Sequence, residues 1–183
     1  MCDVLYLNAD YSPMSVLPLS TLSWRDAIKL VYLGQVQCLD MYKDWFVHSP
    51  SVSLQVPSIV VNKKYVKTSR GVRFSKYTLC LRDEYTCQYC AQRFEFKKLT
   101  MEHVLPKSKG GKTNYLNIVM SCQPCNTQKG NKTHIRPLKE PYKPTYGELV
   151  TKVKNQPVRI PHESWIPYIG WPPKLIEILS HGL

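Results

Sequence analysis

Four cysteines fall in two identical spacings, Cys87-Gln88-Tyr89-Cys90 and Cys122-Gln123-Pro124-Cys125, with 31 residues between them. Two such knuckles supply four thiolates, the soft ligand set that a closed tetrahedral zinc site takes. A plain zinc ribbon leaves roughly 15–20 residues between its knuckles, so this chain carries an insert. In it stand Glu102, His103 and Asn117, and Asn126 follows directly on the last cysteine. Hydrolysing a phosphodiester needs an activated water, a cation on the scissile phosphate and a proton for the leaving oxygen. A neutral imidazole is the side chain suited to take a proton from water near neutral pH. A hard divalent cation prefers oxygen donors such as a carboxylate and an amide carbonyl, the kinds that Glu102 and Asn126 offer. An acid, an imidazole and two amides hung on a zinc staple read as a metal-dependent nuclease site.

Those side chains need a scaffold that brings them to one point. Leu99 to Pro106 reads as a short apolar strand, Lys107 to Gly111 as a basic turn, and Asn117 to Met120 as a strand-like return. Cys122 to Lys129 then opens a helix just after the second knuckle. Strand, loop, return and helix place Glu102, His103 and Asn126 around a common centre. The run Gly110-Gly111-Lys112-Thr113 is not a phosphate-binding P-loop, because that motif needs a further glycine where Pro106 stands.

The run Glu102-His103-Val104-Leu105-Pro106, Gly110-Gly111, Asn117, Cys122-Gln123-Pro124-Cys125-Asn126 and Lys129-Gly130 resembles the HNH family of nucleases in its zinc-containing, ββα-metal form. The resemblance covers about residues 75–133. Val4 to Asn8 and Ser23 to Ala27 are similar, less specifically, to the N-terminal half of stand-alone bacterial HNH proteins. The resemblance implies His103 as general base, with Glu102 and Asn126 holding one catalytic Mg²⁺ or Mn²⁺. It implies that Asn117 holds the hairpin and orients the histidine, and that Lys129 and Lys132 approach phosphate. Two positions depart from the usual pattern: Glu102 stands where the family commonly has Asp, and Asn126 where it often has His.

Charge is unevenly spread. Residues 1–60 carry three basic and five acidic side chains, whereas residues 61–183 carry 22 basic and eight acidic ones, for a net charge of +12 overall. A basic block beside a candidate hydrolytic site suits a phosphate backbone, because each contact releases counterions. From Asn62 to Lys76 six basic residues (Lys63, Lys64, Lys67, Arg70, Arg73 and Lys76) occur without an acid, interleaved with Tyr65 and Phe74. This strip, with Lys107, Lys109 and Lys112 on the basic turn, forms the expected nucleic-acid surface. No run approaches the ~20 apolar residues of a membrane helix, and no secretory signal is visible. An odd total of seven cysteines, four of them in metal spacing, indicates a reducing, cytoplasmic setting. Cys2, Cys38 and Cys80 are then plain thiols, and His48, His134, His162 and His181 ordinary histidines.

The fold class expected is α+β, in three parts: an N-terminal α+β sub-domain over 1–66, a zinc-stapled ββα-metal module over 67–135, and a Pro-rich arm over 136–183. In the first part, Val4 to Leu7 reads as a strand and Ser23 as the cap of a helix ended by Gly34. Extended pieces follow at Gln35–Leu39, Trp45–Val47 and Val52–Val56. Eight prolines after Thr133 argue against long regular elements, yet Trp165, Tyr168 and Trp171 are too apolar for a free tail. Lys174 to Leu179 reads as a short closing helix. The activity implied is metal-dependent cleavage of DNA, nicking or cutting a duplex, with a dimer or two visits needed to break both strands. The competing readings are a non-catalytic zinc-dependent nucleic-acid-binding module and an RNA-directed nuclease with the same site.

Overall fold

The structure, a computed structural model, describes residues 4–179, so the readings of Cys2 and His181 lie outside the described residues. Along the chain the first elements are β1 (Val4–Leu7), β2 (Thr21–Leu22), α1 (Trp24–Tyr32), β3 (Val36–His48) and β4 (Ser53–Asn62). Next come α2 (Lys76–Arg82), β5 (Leu99–His103), β6 (Ile118–Cys122), α3 (Gln123–Lys129) and α4 (Tyr146–Lys154). The last are β7 (Val158–Ile160), α5 (Ile166–Ile169) and β8 (Ile176–Ile178). The mixture of helix and strand is the expected α+β class. The chain divides into two compact units, one made of 1–69 with 154–183 and the other of 70–153.

The first unit is built on a four-stranded sheet in the order β2-β1-β4-β3. Its central strand β4 runs parallel to β1 and antiparallel to β3, and Val56 to Val61 are all buried. A continuous buried run is what a strand covered on both faces requires. Pro57 pairs with Met41, where the β3–β4 register shifts, and such irregularities are among the few places a sheet tolerates proline. The helix α1 starts as expected: the Ser23 side chain accepts from the Asp26 backbone, and Gly34 adopts a left-handed φ of 66° just past its end. Ala27 of this helix packs with Val4, Val36 and Val60. The three extended pieces expected after it are two long strands of one hairpin. The polar, exposed positions of β3 hid its length from pattern reading.

Trp165 joins the same unit, buried, with its indole Nε1 donating to the Ser58 carbonyl over 2.9 Å. The expected closing helix is instead a single 3₁₀ turn, Pro173–Leu175, followed by β8 parallel to β7. Ile176 and Ile178 are β-branched and alternate along the strand, which favours pairing over a helix.

The second unit holds the β5–β6 hairpin and the helices α2, α3 and α4 up to Val153. Leu79, Cys80, Leu99, Tyr115, Ile118 and Met120 form its core. Ser75 and Thr78 cap α2 reciprocally, a helix start that pattern reading passed over because the segment is short. Arg82 at its end is buried and spends its guanidinium on the carbonyls of Tyr115, Ile118 and Tyr142, while Asp83 accepts from the Met120 backbone N–H. These bonds fix the hairpin against α2. The nine-residue α4 forms after Thr133 where the prolines pause, between Pro144 and Pro157. No helix among the described residues is long and apolar enough to cross a membrane.

Candidate active site

The four motif cysteines come from two places on the second unit. Cys87 and Cys90 lie on a tight knuckle in which the Ala91 N–H donates to the Cys87 carbonyl at 3.0 Å and Ala91 adopts a positive φ of 61°. Cys122 ends β6 and caps α3, and Cys125 lies in the first turn of that helix. Their sulfur atoms all lie within 4.8 Å of one another, with Cys90 and Cys122 Sγ 4.0 Å apart. Zinc bonds of ~2.3 Å in a tetrahedron separate sulfurs by about 3.8 Å, so four thiols at this spacing fit a zinc ion. All four are unpaired thiols. Burial opposes the charge on Cys87, but backbone N–H groups of Cys122, Cys90 and Tyr89 outweigh it and bring the thiol down to about 6. Cys38 and Cys80 are also free and stand apart from the cluster; burial pushes Cys80 up to about 12, as an inert core thiol requires.

The hairpin and helix expected around this cluster are present. β5 and β6 are antiparallel, with Glu102 opposite Val119 and His103 opposite Ile118. Alternation along β5 sends Thr100 and Glu102 to one face, and α3 covers that face. Asn126 and Lys129, three residues apart on α3, share the side that meets it. Asn126 Nδ2 donates to Thr100 Oγ1 at 2.9 Å, and Lys129 Nζ donates to Glu102 Oε1 at 2.8 Å. Among the described residues, Asn126 Oδ1 and the second Glu102 oxygen take no hydrogen bond. Two oxygens of the type a hard cation takes are therefore left available.

His103 is half-buried, and its Nε2 lies 2.9 Å from Thr113 Oγ1. Burial, with the positive charges of Lys107 and Lys129, holds the imidazole below its ordinary range against the opposing pull of Glu102. A ring so placed stays neutral and able to accept a proton. Asn117 grips the loop between the strands. Its Oδ1 accepts from the Leu105 N–H at 2.8 Å, while its Nδ2 donates to the carbonyls of Leu105 at 3.0 Å and Lys112 at 2.9 Å. Gly111 lies under the same grip, where a Cβ would fall 1.8 Å from the Leu105 carbonyl oxygen.

The basic residues separate into two groups. Lys107, Lys109 and Lys112 are exposed on the loop, Lys63, Lys64 and Lys67 are exposed on the first unit, and Arg70 and Arg73 on the second. Lys76 is half-buried with its ammonium 4.6 Å from the centre of the Phe96 ring, and Lys132 is exposed, bonded to the Gln128 carbonyl. Lys129 does not fit the expectation that it meets phosphate. It is fully buried, its ammonium held by Glu102 and by the His103 carbonyl at 2.6 Å. Sequence placed it one turn past Asn126 but gave no sign that it points inward.

Three further side chains belong to the site without having been singled out. Thr113 meets the histidine and Thr100 meets Asn126; the latter was readable from its position two residues before Glu102 on one strand face. The third is Tyr89, whose hydroxyl is buried with no hydrogen-bond partner among the described residues. Burial pushes that phenol up, and the neighbouring charges of Glu102, Cys87 and Cys125 push the same way.

Comparison with known families agrees with this geometry. Residues 87–140 match the family model described as HNH endonuclease, and residues 4–70 match that of the HNH endonuclease-associated N-terminal domain. No curated protein matches the chain.

Proposed function

This chain is an HNH family protein, and from that premise we propose that it hydrolyses DNA phosphodiesters in a metal-dependent reaction, nicking or cleaving duplex DNA. The observation that carries the reading is the placement of Glu102 and Asn126 on the facing surfaces of β5 and α3, with His103 next along the strand.

Glu102 and Asn126 would hold Mg²⁺ or Mn²⁺ through oxygen, a donor set suited to such ions. When bound there, such an ion would supply Lewis-acid stabilisation of charge on the phosphate and the leaving oxygen. His103 takes the proton from the attacking water at its imidazole, which the surrounding positive charge and burial keep neutral. Asn117 fixes the loop that follows His103 and so orients the ring. Zinc held by Cys87, Cys90, Cys122 and Cys125 would be structural, since a site filled by four thiolates offers no position to substrate. Exposed lysines of the loop, with Arg70 and Arg73, contact the phosphate backbone. One site cuts one strand, so a double-strand break takes two copies of the chain or two visits.

Supercoiled plasmid incubated in EDTA, Mg²⁺ or Mn²⁺ tests the proposal, beside His103→Ala of confirmed zinc content. Metal-dependent nicking by the wild type, reduced at least ~100-fold in the variant, is the expected result. Equal nicking by both proteins would remove His103 from the reaction. DNA binding without cleavage by either would leave a binding module, and preferential loss of an RNA substrate would reassign the target.

A further inference from the structure

The ammonium of Lys129 occupies the place next to Glu102 where positive charge is wanted. It is fully buried, 2.8 Å from Glu102 Oε1 and 2.6 Å from the His103 carbonyl. Both contacts belong to the two adjacent residues on which the proposed chemistry rests. Glu102 is itself buried, so the pair is shielded from bulk water and its charges are weakly screened. The segment from Cys87 to Thr133 contains two acids, Glu95 and Glu102, against eight lysines and arginines. Glu95 stands at the N-cap of the 3₁₀ turn ahead of β5, and the ion pair of Lys129 is made with Glu102. The carboxylate offered to a divalent cation is thus already neutralised, in a basic setting.

We infer that Lys129 is a positioning residue that balances the charge of Glu102, so that the catalytic cation is held weakly by the free protein and tightly only together with a nucleic-acid phosphate. The inference rests on the reading of Glu102 and Asn126 as the cation's ligands. The physical reason is charge. A dication entering the free site meets one carboxylate and one ammonium, whose charges cancel. When a phosphodiester lies against the site, its anionic oxygens supply the charge that Glu102 alone cannot. Linkage then requires that the cation strengthen nucleic-acid binding by the same factor that nucleic acid strengthens cation binding. Lys129 has a second effect through the His103 carbonyl: it ties the end of β5 to α3, so the base and the carboxylate move as one body.

The test uses zinc-loaded His103→Ala protein, which keeps the backbone carbonyl that Lys129 uses and removes the base. Mn²⁺ binding is followed by electron paramagnetic resonance, with and without a short DNA duplex, taking the His103→Ala/Glu102→Ala complex as background. The affinity for Mn²⁺ is expected to be at least about tenfold higher in the complex, and duplex affinity to rise by the same factor with Mn²⁺. Lys129→Met in the same background removes the competing charge and is expected to tighten Mn²⁺ binding by the free protein about tenfold; damage to the fold would weaken it. Equal Mn²⁺ affinity in the free and complexed protein overturns the inference whether or not Lys129→Met folds. A folded Lys129→Met protein with unchanged or weaker Mn²⁺ binding overturns it too. Mn²⁺ that never exceeds background, with duplex binding intact, overturns the ligand assignment beneath it, a result distinct from the other two.

Discussion

Asn126 donates its amide to Thr100 Oγ1, and Thr100 in turn donates to the Ser121 carbonyl 3.0 Å away. The threonine hydroxyl thereby holds the Nδ2 end of the Asn126 amide and leaves Oδ1 for the cation proposed above. Thr100→Val keeps the shape and removes the acceptor. Nicking in Mg²⁺ is expected to fall about tenfold, the usual cost of losing a partner behind a metal ligand, with zinc content unchanged by metal analysis.

At Gly111 the obstacle to a side chain is backbone, the Leu105 carbonyl at 1.8 Å from a Cβ, with Asn117 Nδ2 at 2.9 Å. Neither can yield without breaking the grip on the loop. Gly111→Ala is expected to lose about 3 kcal/mol or more in urea unfolding, in the range reserved for special backbone positions. Gly110→Ala, which meets no atom within 4 Å, is expected to lose less despite its φ of 85°.

Cys122 serves both as the last residue of β6 and as the cap of α3. Removing zinc with a strong chelator, or making Cys122→Ser, is expected to release the helix that carries Asn126 and Lys129. A four-thiolate zinc site contributes folding energy outright, so the structure of this unit is expected to depend on the metal. Loss of circular dichroism on chelation, recovered by adding zinc under reducing conditions, is the measurement.

Lys152 bridges Glu84 at 3.2 Å and Glu148 at 3.3 Å, and Glu148 also accepts from the Tyr142 hydroxyl. For Glu148, burial favours the neutral acid, but Tyr142 and Lys152 outweigh it and hold the carboxyl below the ordinary glutamate range. A lowered folded-state pKa gives stability that is present above the unfolded value and lost as pH falls through the folded one. For Lys152, burial favours the neutral amine, but Glu84 and Glu148 outweigh it and raise the ammonium. That contribution is present below the unfolded lysine value and lost as pH rises through the folded one. Melting temperature is therefore expected to fall at both the acid and the alkaline end, and Glu148→Gln to flatten the acid limb. Both groups are partly exposed, so the effect is small and salt-sensitive.

The Tyr89 hydroxyl is buried without a partner. Tyr89→Phe removes an unsatisfied group and is expected to raise stability by about 1 kcal/mol, measured by urea unfolding of zinc-loaded protein. A loss of stability instead would place a bound water or ion on that oxygen.

The site was legible where residue type and spacing together carry chemistry. Four cysteines, an acid before a histidine, and an asparagine after the last cysteine admit few other arrangements, and the strand, return and helix around them lie where expected. Lys129 shows what spacing cannot give. A lysine one turn past a candidate ligand looks like a phosphate contact until the helix is docked, and only the docked helix turns it inward onto Glu102. Elsewhere, local patterning missed elements whose stability comes from tertiary packing. The exposed positions of β3 hid a thirteen-residue strand, proline content hid α4, and the segment from Lys174 to Leu179, read as a short helix, holds the strand Ile176–Ile178.

The knuckles stand at the two ends of one stretch of chain. Residues 91–121 leave from Cys90 and return to Cys122, whose sulfurs are 4.0 Å apart. All of β5, the gripped loop and nearly all of β6 lie between those points, and Asn126 and Lys129 follow within seven residues. The hairpin is consequently a closed stretch of chain that a zinc ion on the four thiols would clasp at its neck. The segment before the clasp holds the same stretch from outside, through the bonds of Arg82 and Asp83 to Tyr115, Ile118 and Met120.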